Sequence, residues 1–437
     1  MIPQLRVRTE FSFRKCYGPM AQVAAALESL GSPAAGIVDT SGTWGHVQFS
    51  KALKDSSVNP MYGAEFIIPI DDRKPRCWAL AENLAAFYRF SSANPTTEEE
   101  WIGAEGVVRF AGAALTNPDA FDYIDINPRS RRRTLQALEL AVKTKVPMVI
   151  TSDNDYPTPE ERLKFLAWDD SKKMTPQHLL NPDEMWAAFK PFISSKHYHQ
   201  ILHNTSEAAE RCTGLELAAA PIISVEGDLS AMVEDGKKYR LERSHIKGWN
   251  GVYQARLERE LKLIYEKEYE SYFIVVADMI LWSKERMLVG PARGSSAGSL
   301  VCYLLQITEV DPIVNDLIFE RFIDINRNDL PDIDIDFNDK KREQVFVYLK
   351  EKYGEANVAR IGSVNRLKPR SVIAHVGKKM GIPKHATFSV VNCLVEHSSG
   401  DARYGHALED TMTGTQAGKD FKVKYPEADV LGELENH

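Results

Sequence analysis

From Ala21 to Phe66 the chain switches repeatedly between two hydrophobic periods, and that switching leaves few architectures open. AQVAAALESLG and HVQFSKALKDS carry apolar residues at helical spacing, whereas AAGIVDT and NPMYGAEFII are short apolar runs bounded by Gly, Pro and Ser. Helix, strand, helix, strand in succession predicts parallel strands with crossover helices. The pattern resumes at RRRTLQALELAVKTK followed by VPMVITSD, an amphipathic helix leading into a buried strand. An α/β domain is therefore expected over residues 1 to about 160, with a helical connector beyond it to about 240. GVYQARLERELKLIYEKEYESYFIVVADMILWSKER then supplies two amphipathic helical stretches broken near Glu270 and opens a second unit. The expected division is 1–240 and 241–437, with a turn-rich tail from His385 onward.

A composition of 43% hydrophobic and 26% charged residues is that of a globular chain able to bury a core. No apolar run reaches the roughly 18 residues needed to span a bilayer. MIPQLRVRTEF has neither the h-region nor the cleavage site of a signal peptide, so no membrane is expected and the location is cytoplasmic. The five cysteines are scattered and include no C-x-x-C pair, which predicts reduced thiols rather than a disulfide framework or zinc ribbon. A net charge of −7 is no signature of a nucleic-acid binder, so local charge has to decide that question.

The sharpest pattern is PDIDIDF, Pro331 to Phe337. On a strand, Asp332, Asp334 and Asp336 share one face while Ile333 and Ile335 point to the core. Acids spaced about 7 Å apart repel unless solvent or cations neutralise them. Two Mg²⁺ ions would do so, because hard divalent cations take oxygen ligands and two-metal phosphoryl-transfer sites use carboxylates. An exposed amphipathic strand with an acidic outer face is the plainer alternative.

Upstream, VGPARGSSAGSLVCYLL has Gly290, Gly294 and Gly298 punctuating a turn that leads into an apolar helix. Such a loop offers an anion backbone N–H groups, the Ser295 and Ser296 hydroxyls and a helix N-terminus, and Arg293 adds forked donors suited to phosphate. It lacks the G-K-[ST] ending of a Walker A loop. Taken alone it fits a phosphate cradle and a tight small-residue connection equally well. Arg321 in LIFERF stands just before the acidic segment, where it can reach a triphosphate or pair with an aspartate. A phosphate cradle beside a carboxylate strand makes a nucleotidyl-transfer site.

From Tyr272 to Phe337 the sequence resembles the palm core of the DNA polymerase III alpha family, the bacterial family C replicative polymerases. The resemblance implies template-directed DNA synthesis in a palm of the polymerase-beta-like nucleotidyltransferase type, a mixed α/β fold. It makes Asp332 and Asp334 the catalytic, metal-holding acids and Arg293, Gly294 and Ser295 contacts of the incoming triphosphate. Ala292 stands where the family usually has Gly. Basic residues further on, among them Lys340, Lys341, Arg360, Arg366, Lys368 and Arg370, suit a DNA backbone.

The beginning resembles the family's PHP domain, a seven-stranded α/β barrel that holds metals in many members. Where relatives have H-x-H this chain has Arg6 and Arg8; where they have TDH it has VDT, leaving Asp39; and SDNDY puts Asp155 in place of a histidine. Arginine has no lone pair for a metal, so no metal is expected here. Arg6 and Arg8 are instead expected to pair with surviving acids such as Asp39, Glu65 and Asp153. His197, His199 and His203 have helical metal spacing but no acidic partners, and read as surface histidines.

The partners implied are primer-template DNA and a deoxynucleoside triphosphate. The family's third metal-binding aspartate lies further beyond PD-x-D-x-D-F than the 100 residues (437 − 337) that follow Phe337. A second polypeptide carrying that acid, the fingers and a sliding-clamp contact is therefore expected, and the chain alone is expected to be inactive. The rival reading is a non-catalytic DNA-binding or scaffolding fragment descended from a polymerase.

Overall fold

The computed structural model describes residues 1–13, 15–40, 42–68, 75–95, 97–111, 117–168, 177–218, 224–324, 330–364, 366–397, 403, 405–429 and 431. They fall into two compact units, one of residues Met1–Ala218 with Val364–His437, the other of Ala219–Ser363.

Seven strands form the sheet of the first unit in chain order: β1 Gln4–Val7, β2 Ala34–Thr40, β3 Asn59–Ile67, β4 Arg76–Ala81, β5 Val107–Ala111, β6 Tyr123–Ile126 and β7 Met148–Ile150. Strands β1 to β3 run parallel, as do β5 to β7. Every residue of β2 is buried, as expected of a strand covered on both faces. The helices Met20–Ser29 and His46–Ala52 separate β1, β2 and β3 as the alternating periods predicted. Arg131–Thr144, capped by the Ser130 hydroxyl and ended at Lys145 with φ 63°, leads into β7. The parallel pairing expected from the alternation forms where the alternation is found, whereas β4, which lies between those two stretches, is antiparallel to both neighbours. Only residues 68–75 separate β3 from β4, too few for the crossover that a parallel pair needs.

Side chains link the first strand to the segment after the last. Ser152 Oγ donates to Gln4 Oε1 at 2.9 Å, and Asn154 both accepts from Arg8 N at 2.8 Å and donates to Arg8 O at 3.0 Å. The sheet is thereby barrel-shaped, filled by Trp78 stacked on Phe110 with ring centroids 3.8 Å apart.

Residues 364–437 were expected with the second unit but lie by their contacts with the first. The helices Pro369–Lys379, Lys384–Val391, Ala407–Gly414 and Gln416–Lys424 bury Val372, Ile373, Val376, Val390, Leu408, Met412 and Phe421 in one cluster with Tyr17, Tyr156 and Phe165. Each large side chain fully buried there contributes roughly 1.5–3 kcal/mol.

The second unit is helical. Leu229–Glu242, Gly251–Glu266 and Glu270–Lys284 surround the short apolar helix Leu300–Leu304, and Arg342–Tyr353 lies against Glu270–Lys284. The break near Glu270 falls where expected, with Glu268 at φ 57°. Gly236 lets its helix approach closely, since a Cβ there would stand 2.0 Å from Leu304 O. Tyr348 stacks on Trp282 at 4.5 Å while its hydroxyl donates to Asp278 at 2.8 Å. The mixed α/β palm expected from the resemblance forms no sheet among the described residues: this unit has one isolated bridge, Val289 to Phe337, and no ladder.

Among the described residues no helix is long and apolar enough to cross a membrane. The cysteines are free thiols, with Cys16, Cys77, Cys212 and Cys302 buried and Cys393 exposed.

Candidate active site

PDIDIDF keeps its period of two without its ladder. Asp332, Asp334 and Asp336 are exposed, whereas Ile333 and Ile335 are half-buried against the apolar core of the second unit. The segment is held at both ends, by Tyr272 Oη donating to Pro331 O at 2.7 Å and by Gly290 N donating to Asp336 O at 2.9 Å. Alternating side chains therefore keep their two faces with only the Val289–Phe337 bridge for backbone pairing.

The glycine-serine loop lies directly on this acidic face. Gly294 has φ +66°, and a Cβ on it would stand 2.8 Å from Asp334 Oδ2; one on Gly290 would stand 3.0 Å from Asp336 Cβ. Glycine is thus required at 294 both for its left-handed backbone and for the approach of a carboxylate. Arg293 donates to Asp336 Oδ1 at 3.1 Å, both side chains being 61% exposed. A pair so exposed holds weakly, which leaves Arg293 able to exchange Asp336 for another anion. Asp332 and Asp334 accept no hydrogen bond and form no ion pair within the described residues, and neither does the exposed Arg321 find a partner there. The second option for Arg321, pairing with an aspartate of the motif, is therefore not taken up.

Two parts of the expected phosphate cradle serve the fold instead. The Ser296 hydroxyl is buried and donates to Arg293 O at 3.0 Å, while half-exposed Ser295 makes no side-chain hydrogen bond among the described residues. The N-terminus of Leu300–Leu304 is filled: Glu260 accepts from Leu300 N at 2.9 Å, Val301 N at 3.0 Å and Ser299 Oγ at 2.8 Å. A buried carboxylate of the protein thus occupies the donors offered to an anion in the sequence reading.

A second charged cluster gathers at the C-terminal ends of the parallel strands in the first unit. Arg6 bonds Glu65 at 2.6 Å and Asp125 at 3.2 Å, and Arg8 bonds Asp153 at 2.6 Å and Glu65 at 3.1 Å. Arg129 joins from the loop after β6, at 2.5 Å from Asp153 and 2.7 Å from Asp155. Asp39, expected among the acids paired with arginine, forms no ion pair among the described residues and instead accepts from Thr9 N, Thr9 Oγ1 and Ser12 Oγ at 2.6–2.7 Å. Burial pushes the Glu65 carboxyl up, but Arg6, Arg8 and Arg76 outweigh it and hold it at about 2. Burial likewise opposes the Arg8 charge, and Asp153, Glu65 and Asp155 overcome that opposition and raise its pKa.

Residues 228–434 match the family model of the bacterial DNA polymerase III alpha NTPase domain, and residues 4–167 match that of the PHP domain. The DNA polymerase III subunit alpha of Caulobacter vibrioides is 28% identical over 451 residues, 87% of this chain and 39% of that protein. That of Neisseria meningitidis is 28% identical over 503 residues, 98% of this chain and 43% of that protein. The chain is a DNA polymerase III alpha-like protein. It spans about two fifths of the length of the curated relatives it matches. A putative metal-dependent phosphoesterase from Bifidobacterium adolescentis aligns with 45% of the chain at a TM-score of 0.28 and 11% identity, too little to bear on the site.

Both charged clusters of this alpha-like chain lie inside matched regions, the acids and glycine loop within 228–434 and the arginine cluster within 4–167. Arg6 and Arg8 do pair with surviving acids, as expected, and guanidiniums standing against Glu65, Asp125 and Asp153 do not fit a metal there. Among the described residues no three of His, Cys, Asp and Glu converge as a metal group in either unit. His197, His199 and His203 lie exposed on Ser195–Cys212. Sequence reasoning missed Glu260, although a signal existed. The buried stripe of its helix reads Tyr253, Leu257, Glu260, Ile264, an acid where an apolar residue belongs. Asp125 and Arg129 carry no motif and meet the cluster only through the strand order.

Proposed function

We propose that this chain carries the metal-holding acids and triphosphate loop of a DNA polymerase, for attack of a primer 3′-hydroxyl on the α-phosphate of a deoxynucleoside triphosphate. The observation that supports it most is that Asp332 and Asp334 are left exposed and unpaired against a glycine loop whose Gly294 makes room for Asp334. Repelling acids kept free of arginine beside small residues suit a cation and its phosphate ligand, whereas the acids of the barrel are neutralised by the chain itself.

In this reading Asp332 and Asp334 hold two Mg²⁺ ions, which when bound stabilise charge developing on the phosphates. Arg293 leaves Asp336 for the triphosphate, the Gly294 backbone lets the phosphates come close, and the Ser295 hydroxyl and Arg321 complete the contacts. Primer-template DNA is the second substrate. Two carboxylates are few for a pair of near-octahedral ions, so the reading includes a further acid ligand beside Asp332 and Asp334.

The test is Mg²⁺-dependent binding of dATP by the 437-residue chain, followed by primer extension with and without a polypeptide that resembles the remaining length of the relatives. Asp334→Asn should lose the Mg²⁺-dependent binding while unfolding at the parent's denaturant midpoint. Parent-like dATP binding and extension by Asp334→Asn would overturn the assignment of Asp334. A parent that binds no dATP with Mg²⁺ and extends no primer in either condition would leave the scaffold reading in its place.

A further inference from the structure

Two residues on one turn of Gly251–Glu266 hold the glycine-serine loop from behind. Glu260 has no exposed surface and accepts four hydrogen bonds, from Leu300 N, Val301 N, Ser299 Oγ and Arg256 Nε, the last at 2.6 Å. Arg256 reaches past it with Nη2, which donates to Gly298 O at 2.5 Å and Leu317 O at 3.0 Å. One ion pair thus joins the end of the loop to the segment that leads into Phe319–Arg321. Gly298 belongs to the same junction, since a Cβ there would stand 2.7 Å from Ile318 O. The other end of the loop is fixed separately, by Gly290 N on Asp336 O.

A buried ion pair is weak reason for stability, because desolvation offsets most of its attraction, but it fixes geometry well when every lone pair is used. Here all of the partners are backbone or hydroxyl groups of the two segments that carry Arg293, Ser295 and Arg321. We infer that Glu260 and Arg256 are positioning residues for triphosphate binding: they touch no substrate and set the spacing between the loop and Arg321. The inference rests on the proposed triphosphate site.

Its test is dATP affinity, with Mg²⁺, of the full chain in a double-mutant cycle. Glu260→Gln keeps the shape but turns an amide donor toward N–H groups, and should weaken dATP about tenfold, misplacement of contacts being costly in this way. If Glu260 acts through the loop, the same substitution in an Arg293→Ala background should cost less than about twofold, because coupled residues are not additive. Should Glu260→Gln fail to fold, Arg256→Lys keeps the charge but cannot span Gly298 O and Leu317 O, and should show the same coupling to Arg293. Parent-like affinity in a folded Glu260→Gln or Arg256→Lys, or a loss undiminished by Arg293→Ala, overturns the positioning role alone. Parent-like affinity in Arg293→Ala overturns the triphosphate site and the inference with it.

Discussion

Arg6 joins Glu65 to Asp125, and because no other cation pairs with Asp125 among the described residues, removing Arg6 leaves that buried acid without compensation. Arg6→Met should therefore cost about 3–5 kcal/mol of unfolding free energy, read from urea titration, since breaking a buried pair costs far more than its net worth. A loss under about 1 kcal/mol would mean that the acids rearrange or protonate freely. The same cluster sets an acid dependence. Glu65 is held near 2 against an ordinary 4.5, so its contribution is complete above about 4.5 and disappears as pH falls toward 2. Between pH 5 and 2 the parent should lose roughly 3 kcal/mol more than Glu65→Gln, and equal losses in the two would show that Glu65 carries no such linkage. The roles of Arg6 and Arg8 were legible because each replaces a ligand type by one that cannot bind metal. Arg129, Asp125 and the Glu260 clamp were not, since their partners are far apart in sequence and only the fold brings them together.

Among elements, the loop from Gly290 to Gly298 and the acidic segment behave as one piece. Gly294→Ala adds a left-handed strain of about 1 kcal/mol and a Cβ pressed on Asp334. It should weaken Mg²⁺·dATP more than it destabilises the fold, as measured by titration beside thermal unfolding. Equal affinity for parent and variant would mean that the loop and Asp334 do not meet in solution. Period-two burial at PDIDIDF was plain in the sequence because aliphatic and acidic residues alternate strictly. The absent ladder was not, because pairing depends on a partner strand that no local pattern reveals. Antiparallel β4 was hidden for a like reason: residues 68–75 carry no hairpin signal as strong as Asn-Gly.

At the scale of the molecule, the alternation from Ala21 to Phe66 foretold an α/β unit, and β2, β3 and their helices fall where the two periods put them. Association of residues 364–437 with that unit was not foretold, because an amphipathic helix shows which face it buries and not against what. Val372, Val376 and Phe421 are such faces, and their partners Tyr17, Tyr156 and Phe165 come from the opposite end of the chain. The polymerase reading joins the exposed acids to the family match and depends on one site in the second unit. Mn²⁺ in place of Mg²⁺ reports on that site directly, through its electron paramagnetic resonance during titration of the 437-residue chain with dATP present. The chain should bind Mn²⁺ in a dATP-dependent manner, and Asp332→Asn and Asp334→Asn should each remove that binding without changing the fold. Mn²⁺ bound equally by the chain and both variants would contradict it.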